Sequence, residues 1–444
     1  MHLSSRSTPE NPSRRSRFWA SAFLLLAALA FSQPAEAAQA RGRILTVEYA
    51  PSEKPGELVY GVTYRLWVPE GVEKIRGVIV HQHGCGAGAC KGGETAADDL
   101  HWQALAARHD CALLGPSYHQ KDGEDCRKWC DPRNGSGKTF LRALDDFAVQ
   151  AKHPEIAKVP WALWGHSGGG FWSSLMLTLH PERIAAIWFR SGSAFYVWEK
   201  GDIPRPDLSD AVYRVPLCFN GGLKEEQDKR HGPARVGDRA MFKAWRENGA
   251  PAGFARDPRT GHECGDSRYL AIPFLDTCLA LRLPKSGHAL LPVRLEDGWL
   301  SEMDAEAAVP AADFKGDLGT AAWMPSERLA KLRAEYIRTG VTSDVTPPPA
   351  PTGVKLDKGV VTWQAEVDFE SGLQQFIVYR HSKEIGRVPE KPVGKFGRPL
   401  FQAMSYHDTP EKPLPEMKFV DAEPAADASA YRIVSVNSAG LKSE

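Results

Sequence analysis

One serine is flanked by glycines, and its surroundings indicate chemical reactivity more clearly than those of any other residue in this sequence. Ser167 stands in the string Gly165-His166-Ser167-Gly168-Gly169, which follows the apolar run 161–164 and precedes apolar residues at helical spacing over 171–179. A tight turn between a strand and a helix strains the serine and needs small neighbours. The serine oxygen then lies at a helix N-terminus, where developing negative charge is favoured. We interpret Ser167 as a nucleophile; a glycine-rich turn carrying an ordinary serine is the alternative.

A nucleophilic serine needs a base, and a histidine later in the chain is suitably placed. His262 lies in Gly261-His262-Glu263, after the run 253–256 and 95 residues past Ser167. A neutral imidazole there would take the serine proton and pass it to the leaving group. A solvent-exposed or structural histidine is the alternative interpretation.

A carboxylate that fixes the imidazole tautomer would have to come from the segment after the run 215–219. Three acidic residues compete there, Glu225, Glu226 and Asp228. The charged run 224–229 is also typical of a solvated surface loop. The residues alone therefore leave the choice of acid open.

Two backbone N–H groups are the expected donors to the oxyanion of a tetrahedral intermediate. One follows the nucleophile and belongs to Gly168. The other is expected in the loop His83-Gly84-Cys85-Gly86, where we assign it to Cys85. His81, His83, Cys85 and Cys90 suggest a metal site as an alternative, but their spacing matches no closed zinc motif, so we predict no metal.

These residues require a scaffold in which strands and helices alternate. Residues 43–283 show that alternation, which is typical of an α/β domain with a mostly parallel sheet covered on both faces. A connector with one helix near 326–339 is predicted over 284–345, because Pro325 and Gly340 mark its ends. After the proline-rich spacer 347–351, short β patterns continue to the C-terminus, so residues 346–444 are predicted to form a β-sandwich.

The charge balance and the N-terminal segment indicate which partners and which cellular location to expect. The 444 residues carry 55 basic and 55 acidic side chains without a basic block, which argues against nucleic acid as a partner. Residues 1–38 combine arginines, the apolar run 19–31 and Ala35-Glu36-Ala37, as an export signal does. We predict a periplasmic or extracellular protein without a membrane span after cleavage.

Eight cysteines fit an oxidising compartment. The sequence leaves their pairing open; local disulfides are one interpretation, because Cys85 and Cys90 flank one glycine-rich loop and Cys126 and Cys130 flank another. Buried free thiols are the alternative. Two interpretations are also open for four tryptophans, which could line a sugar or aromatic subsite or belong to the hydrophobic core. They are Trp102, Trp129, Trp172 and Trp198.

Residues 43–283 resemble the α/β-hydrolase esterases and depolymerases in the serine turn, the oxyanion loop and the late histidine. The loop 83–86 resembles the HGGG-type loop of esterases and lipases, with Cys85 replacing a glycine. The turn 222–225 resembles the G-x-x-D turn that carries the acid in this superfamily, with Glu replacing Asp, which puts Glu225 first and Asp228 second. The resemblance implies hydrolysis of carboxylic esters through an acyl-enzyme, without a cofactor.

The C-terminal residues resemble a fibronectin type III domain, through the strand patterns 360–363, 376–380 and 431–440. Such a module on an exported hydrolase favours an esterified polysaccharide or polyester by analogy only, and both small-molecule and polymeric esters stay candidate substrates. An exported peptidase of the same fold is the first rival function, and a non-catalytic binding protein is the second. The sequence identifies no partner protein.

Overall fold

The computed structural model describes residues 41–391 and 400–444. The predicted export signal, residues 1–38, lies outside the described residues. Within the described part of the chain, no helix combines the length and the apolar character needed to cross a membrane.

An eight-stranded sheet forms the centre of the molecule. Its strands are β1 Gly42–Tyr49, β2 Val62–Pro69, β3 Gly77–Gln82, β4 Cys111–Tyr118, β5 Trp161–His166, β6 Ile184–Arg190, β7 Leu217–Gly222 and β8 Ala252–Asp257. They are ordered β1-β2-β4-β3-β5-β6-β7-β8, and only the pairs that include β2 are antiparallel. This is the α/β-hydrolase fold, and the predicted fold class is confirmed.

Helices cover the sheet on both faces. They are α1 Ala87–Thr95, α2 Leu100–Arg108, α3 Arg127–Cys130, α4 Ser136–Ala151, α5 Gly168–Leu179, α6 Phe195–Glu199, α7 Gly232–Glu247 and α8 Arg268–Arg282. Every residue of β3, β5 and β6 is buried, because the strands are sandwiched between two hydrophobic layers. The four tryptophans considered above belong to these layers and are at most 2% exposed. They are core residues.

The segment after α8 packs back onto the sheet. It contains three short strands, β9 Trp299–Ser301, β10 Val309–Pro310 and β11 Ala322–Met324, and the helix α9 Glu327–Thr339. The Ser326 hydroxyl caps α9 by accepting from the Leu329 N–H, and Gly340 ends it with a φ of 77°. The Tyr336 hydroxyl donates to Asp257 at the end of β8, at 3.0 Å. The helix occurs where the sequence predicts it, whereas the three short strands lack a clear sequence pattern.

Among the described residues near the C-terminus, six further strands form two antiparallel sheets. They are β12 Thr352–Asp357, β13 Val360–Gln364, β14 Gln375–Arg380, β15 Lys383–Val388, β16 Lys418–Val420 and β17 Tyr431–Val436. One sheet is ordered β12-β13-β16 and the other β15-β14-β17. Trp363 and Phe376 join them in one apolar cluster, with ring centroids 5.3 Å apart. The connection between β15 and β16 includes residues 400–411, which we call the insertion loop.

Candidate active site

Ser167 occupies the sharp turn between β5 and α5. Its backbone is strained, with φ 55° and ψ −115°. A Cβ atom at Gly165 would lie 2.5 Å from the carbonyl oxygen of Gly169, and one at Gly169 would lie 2.2 Å from that of Gln82. Both positions require glycine because the backbones approach so closely. The turn leaves Ser167 partly exposed.

The side chains of Ser167, His262 and Glu225, all selected from the sequence, form one row connected by hydrogen bonds. The Nε2 atom of His262 lies 2.9 Å from the Oγ atom of Ser167, and its Nδ1 atom lies 2.6 Å from the Oε1 atom of Glu225. Glu225 lies in the short helical turn Leu223–Gln227 after β7, and His262 lies in the loop after β8. The carboxyl ends of neighbouring parallel strands meet at one edge of the sheet, and this brings the three residues together.

The electrostatics of the row favour a neutral imidazole. Burial lowers the pKa of His262 below its ordinary value of 6.5, although Glu225 acts in the opposite direction. A carboxylate accepts hydrogen bonds, so the Nδ1–H of His262 donates to Glu225 and its Nε2 atom faces the serine with a lone pair. The arrangement can receive a proton from the Ser167 hydroxyl.

Asp228, the second choice for the acid, lies outside this row. Its Oδ2 atom accepts from Nδ1 of His231 at 2.8 Å, and this hydrogen bond is the main cause that lowers the pKa of Asp228 to about 2. The His231 ring stacks on the His262 ring, with centroids 4.0 Å apart and planes 12° apart. Asp228 therefore reaches His262 only through a stacked ring, while the third carboxylate, Glu226, pairs with Arg235 at 2.8 Å.

The two backbone groups selected as oxyanion donors lie side by side. A Cβ atom at Gly168 would lie 3.4 Å from the backbone nitrogen of Cys85, and a Cβ atom at Gly84 would lie 3.1 Å from Cβ of Ser167. His83 holds the intervening peptide, because its Nδ1 atom lies 2.6 Å from the Gly84 carbonyl oxygen. In a trans peptide the carbonyl and the following N–H point in opposite directions, so this contact fixes the direction of the Cys85 N–H.

A disulfide connects the loop 83–86 to a second loop. Cys85 is bonded to Cys126, with their Cα atoms 5.7 Å apart. The local pairing that the sequence left as one interpretation is therefore wrong for Cys85 and Cys126. Sequence proximity does not show that loops 41 residues apart in the chain converge over the first residue of α5. Other cysteines are buried thiols whose pKa is raised by burial: Cys111, Cys130, Cys218 and Cys278.

An arginine that sequence reasoning missed holds the loop of His262. Arg190 ends β6 and is fully buried. Its guanidinium donates to the Thr260 hydroxyl at 2.9 Å, to the Gly261 carbonyl at 3.1 Å and to the Glu263 carbonyl. An arginine at the end of an otherwise apolar run was the available signal, since a buried charge requires partners.

Two more histidines, also missed, adjoin the row. The Nε2 atom of His166 lies 2.7 Å from the carbonyl oxygen of His262, and its Nδ1 atom lies 2.8 Å from Nδ1 of His407. His407 lies on the insertion loop, and its neighbour Tyr406 places its ring centroid 5.7 Å from that of His166. The sequence showed no binding constellation in the C-terminal part, but the structure brings this part to the site. The polar string 405–409 was the available signal.

His81 and His83, the two histidines of the alternative metal site, make other contacts. The His81 ring stacks on Trp164, with centroids 4.0 Å apart, and its Nε2 atom lies 3.5 Å from Oδ2 of Asp408. Burial lowers the pKa of His83 to about 4, so that its ring is neutral near pH 7. Cys85 is in the disulfide.

No protein-family model and no curated protein matches the chain. Solved structures that are similar to it include a dienelactone hydrolase from Anabaena variabilis, at 15% identity and a TM-score of 0.34, covering 55% of this chain and 99% of that one. An S-formylglutathione hydrolase from Agrobacterium tumefaciens gives 15% identity and a TM-score of 0.35, covering 54% and 94%. An acylaminoacyl peptidase from Pyrococcus horikoshii gives 12% and 0.38, and the match covers 55% of this chain but only 42% of the peptidase. The fold assignment rests on the strand order of the chain itself.

Proposed function

We propose that this protein is an exported serine hydrolase that cleaves carboxylic esters. Ser167 is the nucleophile, His262 the general base and Glu225 the acid that orients it. The observation that carries the proposal is the unbroken row from Oγ of Ser167 through the imidazole to the buried carboxylate, with separations of 2.9 and 2.6 Å. A strained serine beside a neutral imidazole supports acyl transfer.

In the proposed reaction the Ser167 oxygen attacks the ester carbonyl carbon while its proton passes to Nε2 of His262. The carbonyl π electrons move to the oxygen, which accepts hydrogen bonds from the N–H groups of Cys85 and Gly168. When the intermediate collapses, the C–O bond to the alcohol breaks and His262 returns the proton to the leaving oxygen. Water then attacks the acyl-enzyme by the same steps, releasing the acid and free Ser167.

In these reaction steps the protons are transferred, and the developing charges stabilised, by groups of the chain. The proposal therefore includes no cofactor. Glu225 stabilises the imidazolium that forms in each half of the reaction. Its side chain is fully buried, which strengthens that interaction relative to one in water.

Export and the domain arrangement belong to the same proposal. The signal-like residues 1–38 and the disulfide between Cys85 and Cys126 both suit an oxidising compartment. We assign residues 43–283 to catalysis, 284–345 to a connector and 346–444 to a fibronectin type III-like unit. Small or polymeric esters are the proposed substrates.

The test measures hydrolysis of nitrophenyl esters of increasing acyl length by residues 39–444. The Ser167→Ala variant should lose activity, whereas Ser343→Ala, which changes an exposed serine, should retain it. A fluorophosphonate should label Ser167 in the unchanged protein, as mass spectrometry of the peptides would show. Cleavage of peptides in preference to esters would replace the esterase assignment with a peptidase, and the absence of both turnover and labelling would refute the hydrolase.

A further inference from the structure

The insertion loop is anchored to the catalytic domain by a buried ion network. Arg268, the first residue of α8, contacts Asp99 at 2.6 Å and Asp408 of the loop at 3.0 Å. The three side chains are at most 2% exposed. The indole N–H of Trp102 donates to the second oxygen of Asp408 at 3.2 Å. Groups that are paired in this way and shielded from water hold the loop in one position.

A second anchor lies at the base of the loop. The side-chain amide of Gln402 accepts from the Leu100 N–H at 2.9 Å and donates to the Asp98 carbonyl at 2.7 Å. Across the tip, the Ser405 N–H donates to the Thr409 carbonyl at 2.8 Å. The tip is therefore fixed on both sides, and Tyr406 and His407 lie within it.

Gly84 lies between His407 and the nucleophile Ser167. A Cβ atom built on Gly84 would lie 3.1 Å from Cβ of Ser167 and 3.3 Å from both Cε1 and Nδ1 of His407. The ring edge of His407 and the serine thus face the same small volume, next to the oxyanion loop. His407 as a whole residue is of intermediate exposure.

The hydrogen bonds determine which nitrogen of His407 carries its proton. A carbonyl only accepts, so His166 must donate from Nε2 to the His262 oxygen. Burial lowers the pKa of His166 and, to about 3, that of His407, so both rings are neutral near pH 7. The Nδ1 of a neutral His166 is then an acceptor, and the bond between the rings must be donated by Nδ1–H of His407. The Nε2 atom of His407 is left with a lone pair, and no described residue donates to it.

From this geometry we infer that His407 is a specificity-determining residue, whose Nε2 atom accepts a hydrogen bond from a hydroxyl group of the substrate. The inference rests on the proposed ester hydrolysis and adds a substrate class to it. The preferred esters carry a hydroxyl close to the scissile bond, on the alcohol or the acyl part. The C-terminal part of the chain thereby completes the active site, instead of serving as a spacer alone.

Two substitutions separate the roles of the two ring nitrogens. Asparagine places an amide near the position of Nδ1, so His407→Asn can still donate to His166 but has no acceptor at the Nε2 position. Glutamine places its amide near Nε2, so His407→Gln keeps an acceptor there and loses the bond to His166. Unfolding midpoints and the rate of fluorophosphonate labelling of Ser167 report on the fold and the nucleophile in both variants.

The assay compares kcat/KM within two pairs of esters, ethyl acetate with 2-hydroxyethyl acetate and ethyl butyrate with ethyl 3-hydroxybutyrate. The first pair tests a hydroxyl on the alcohol part, and the second tests one on the acyl part. We expect the unchanged protein to prefer the hydroxylated member of one pair by about tenfold, which corresponds to one neutral hydrogen bond. His407→Asn should abolish that preference by slowing the hydroxylated ester more than the plain one, and His407→Gln should keep part of it.

The inference is overturned if the unchanged protein hydrolyses both members of both pairs equally well. It is also overturned if His407→Asn keeps the full preference, or if it slows all four esters equally. Failure of the proposed function looks different, because the unchanged protein would then neither turn over any ester nor react with the fluorophosphonate.

Discussion

Replacing Glu225 by glutamine tests the assignment of the acid most directly. The substitution keeps the size of the side chain and removes its charge next to His262. Glu225 is fully buried and His262 is only 8% exposed, so water cannot replace the lost charge. A glutamine amide can also donate to Nδ1, which would move the imidazole proton to Nε2 and point it at Ser167.

The expected size of the effect follows from the contact. With Nδ1 and Oε1 2.6 Å apart, the centres of charge of the imidazolium and the carboxylate lie about 4 Å apart. At an effective dielectric constant of about 20 that separation gives about 4 kcal/mol, which is a factor of about 10³ in rate. Arg190 disfavours the imidazolium in both the unchanged protein and the variant, so its effect cancels from the comparison. Stabilisation of the wrong tautomer brings the expected fall in kcat/KM to between about 10³ and 10⁴.

The assay is the initial rate of nitrophenyl ester hydrolysis between pH 5 and 9, with Asp228→Asn as the matched control. Asp228 bonds to His231 and is exposed to solvent, so its amide variant should stay within about tenfold of the unchanged protein. Circular dichroism and urea unfolding would establish that both variants are folded. Equal losses in the two variants, or a folded Glu225→Gln protein with most of its activity, would refute the reasoning.

Three further predictions concern pH, stability and the disulfide. Because burial lowers the pKa of His262 below 6.5, activity should be lost as pH falls through a midpoint below 6.5; a midpoint above 6.5 in the kcat/KM profile would contradict this. Asp408→Ala leaves a buried arginine short of a partner and should lower the free energy of urea unfolding by about 3–5 kcal/mol. Arg294→Ala, at an exposed pair, should leave that free energy nearly unchanged. Replacing both Cys85 and Cys126 by serine frees the oxyanion loop and should lower kcat by up to about 10²-fold, with KM less affected; an unchanged kcat would show that the bond does not position the loop.

Periodicity and turn residues were enough to predict the scaffold around the serine. The strand before Ser167 and the helix after it follow from an apolar run, a glycine turn and helical spacing, all of which are local. The same local signals place the helix at 327–339, since its serine cap and its glycine end lie beside it in the sequence. Chain order also brought His262 into consideration, because the fold places this loop after the last strand.

Contacts between segments that are distant in the sequence could be identified only from the tertiary structure. The sequence left Glu225 and Asp228 as competing acids three residues apart, and only the path of the turn after β7 shows which carboxylate meets the imidazole. Cysteine spacing suggested neighbours as partners, but a disulfide forms where two loops meet in space, and Cys85 meets Cys126. The approach of His407 to His166, 241 residues apart, depends on how a loop of the C-terminal sheets packs against the domain that carries Ser167. Local sequence patterns determine elements because backbone geometry is local, whereas packing between elements decides which side chains share a site.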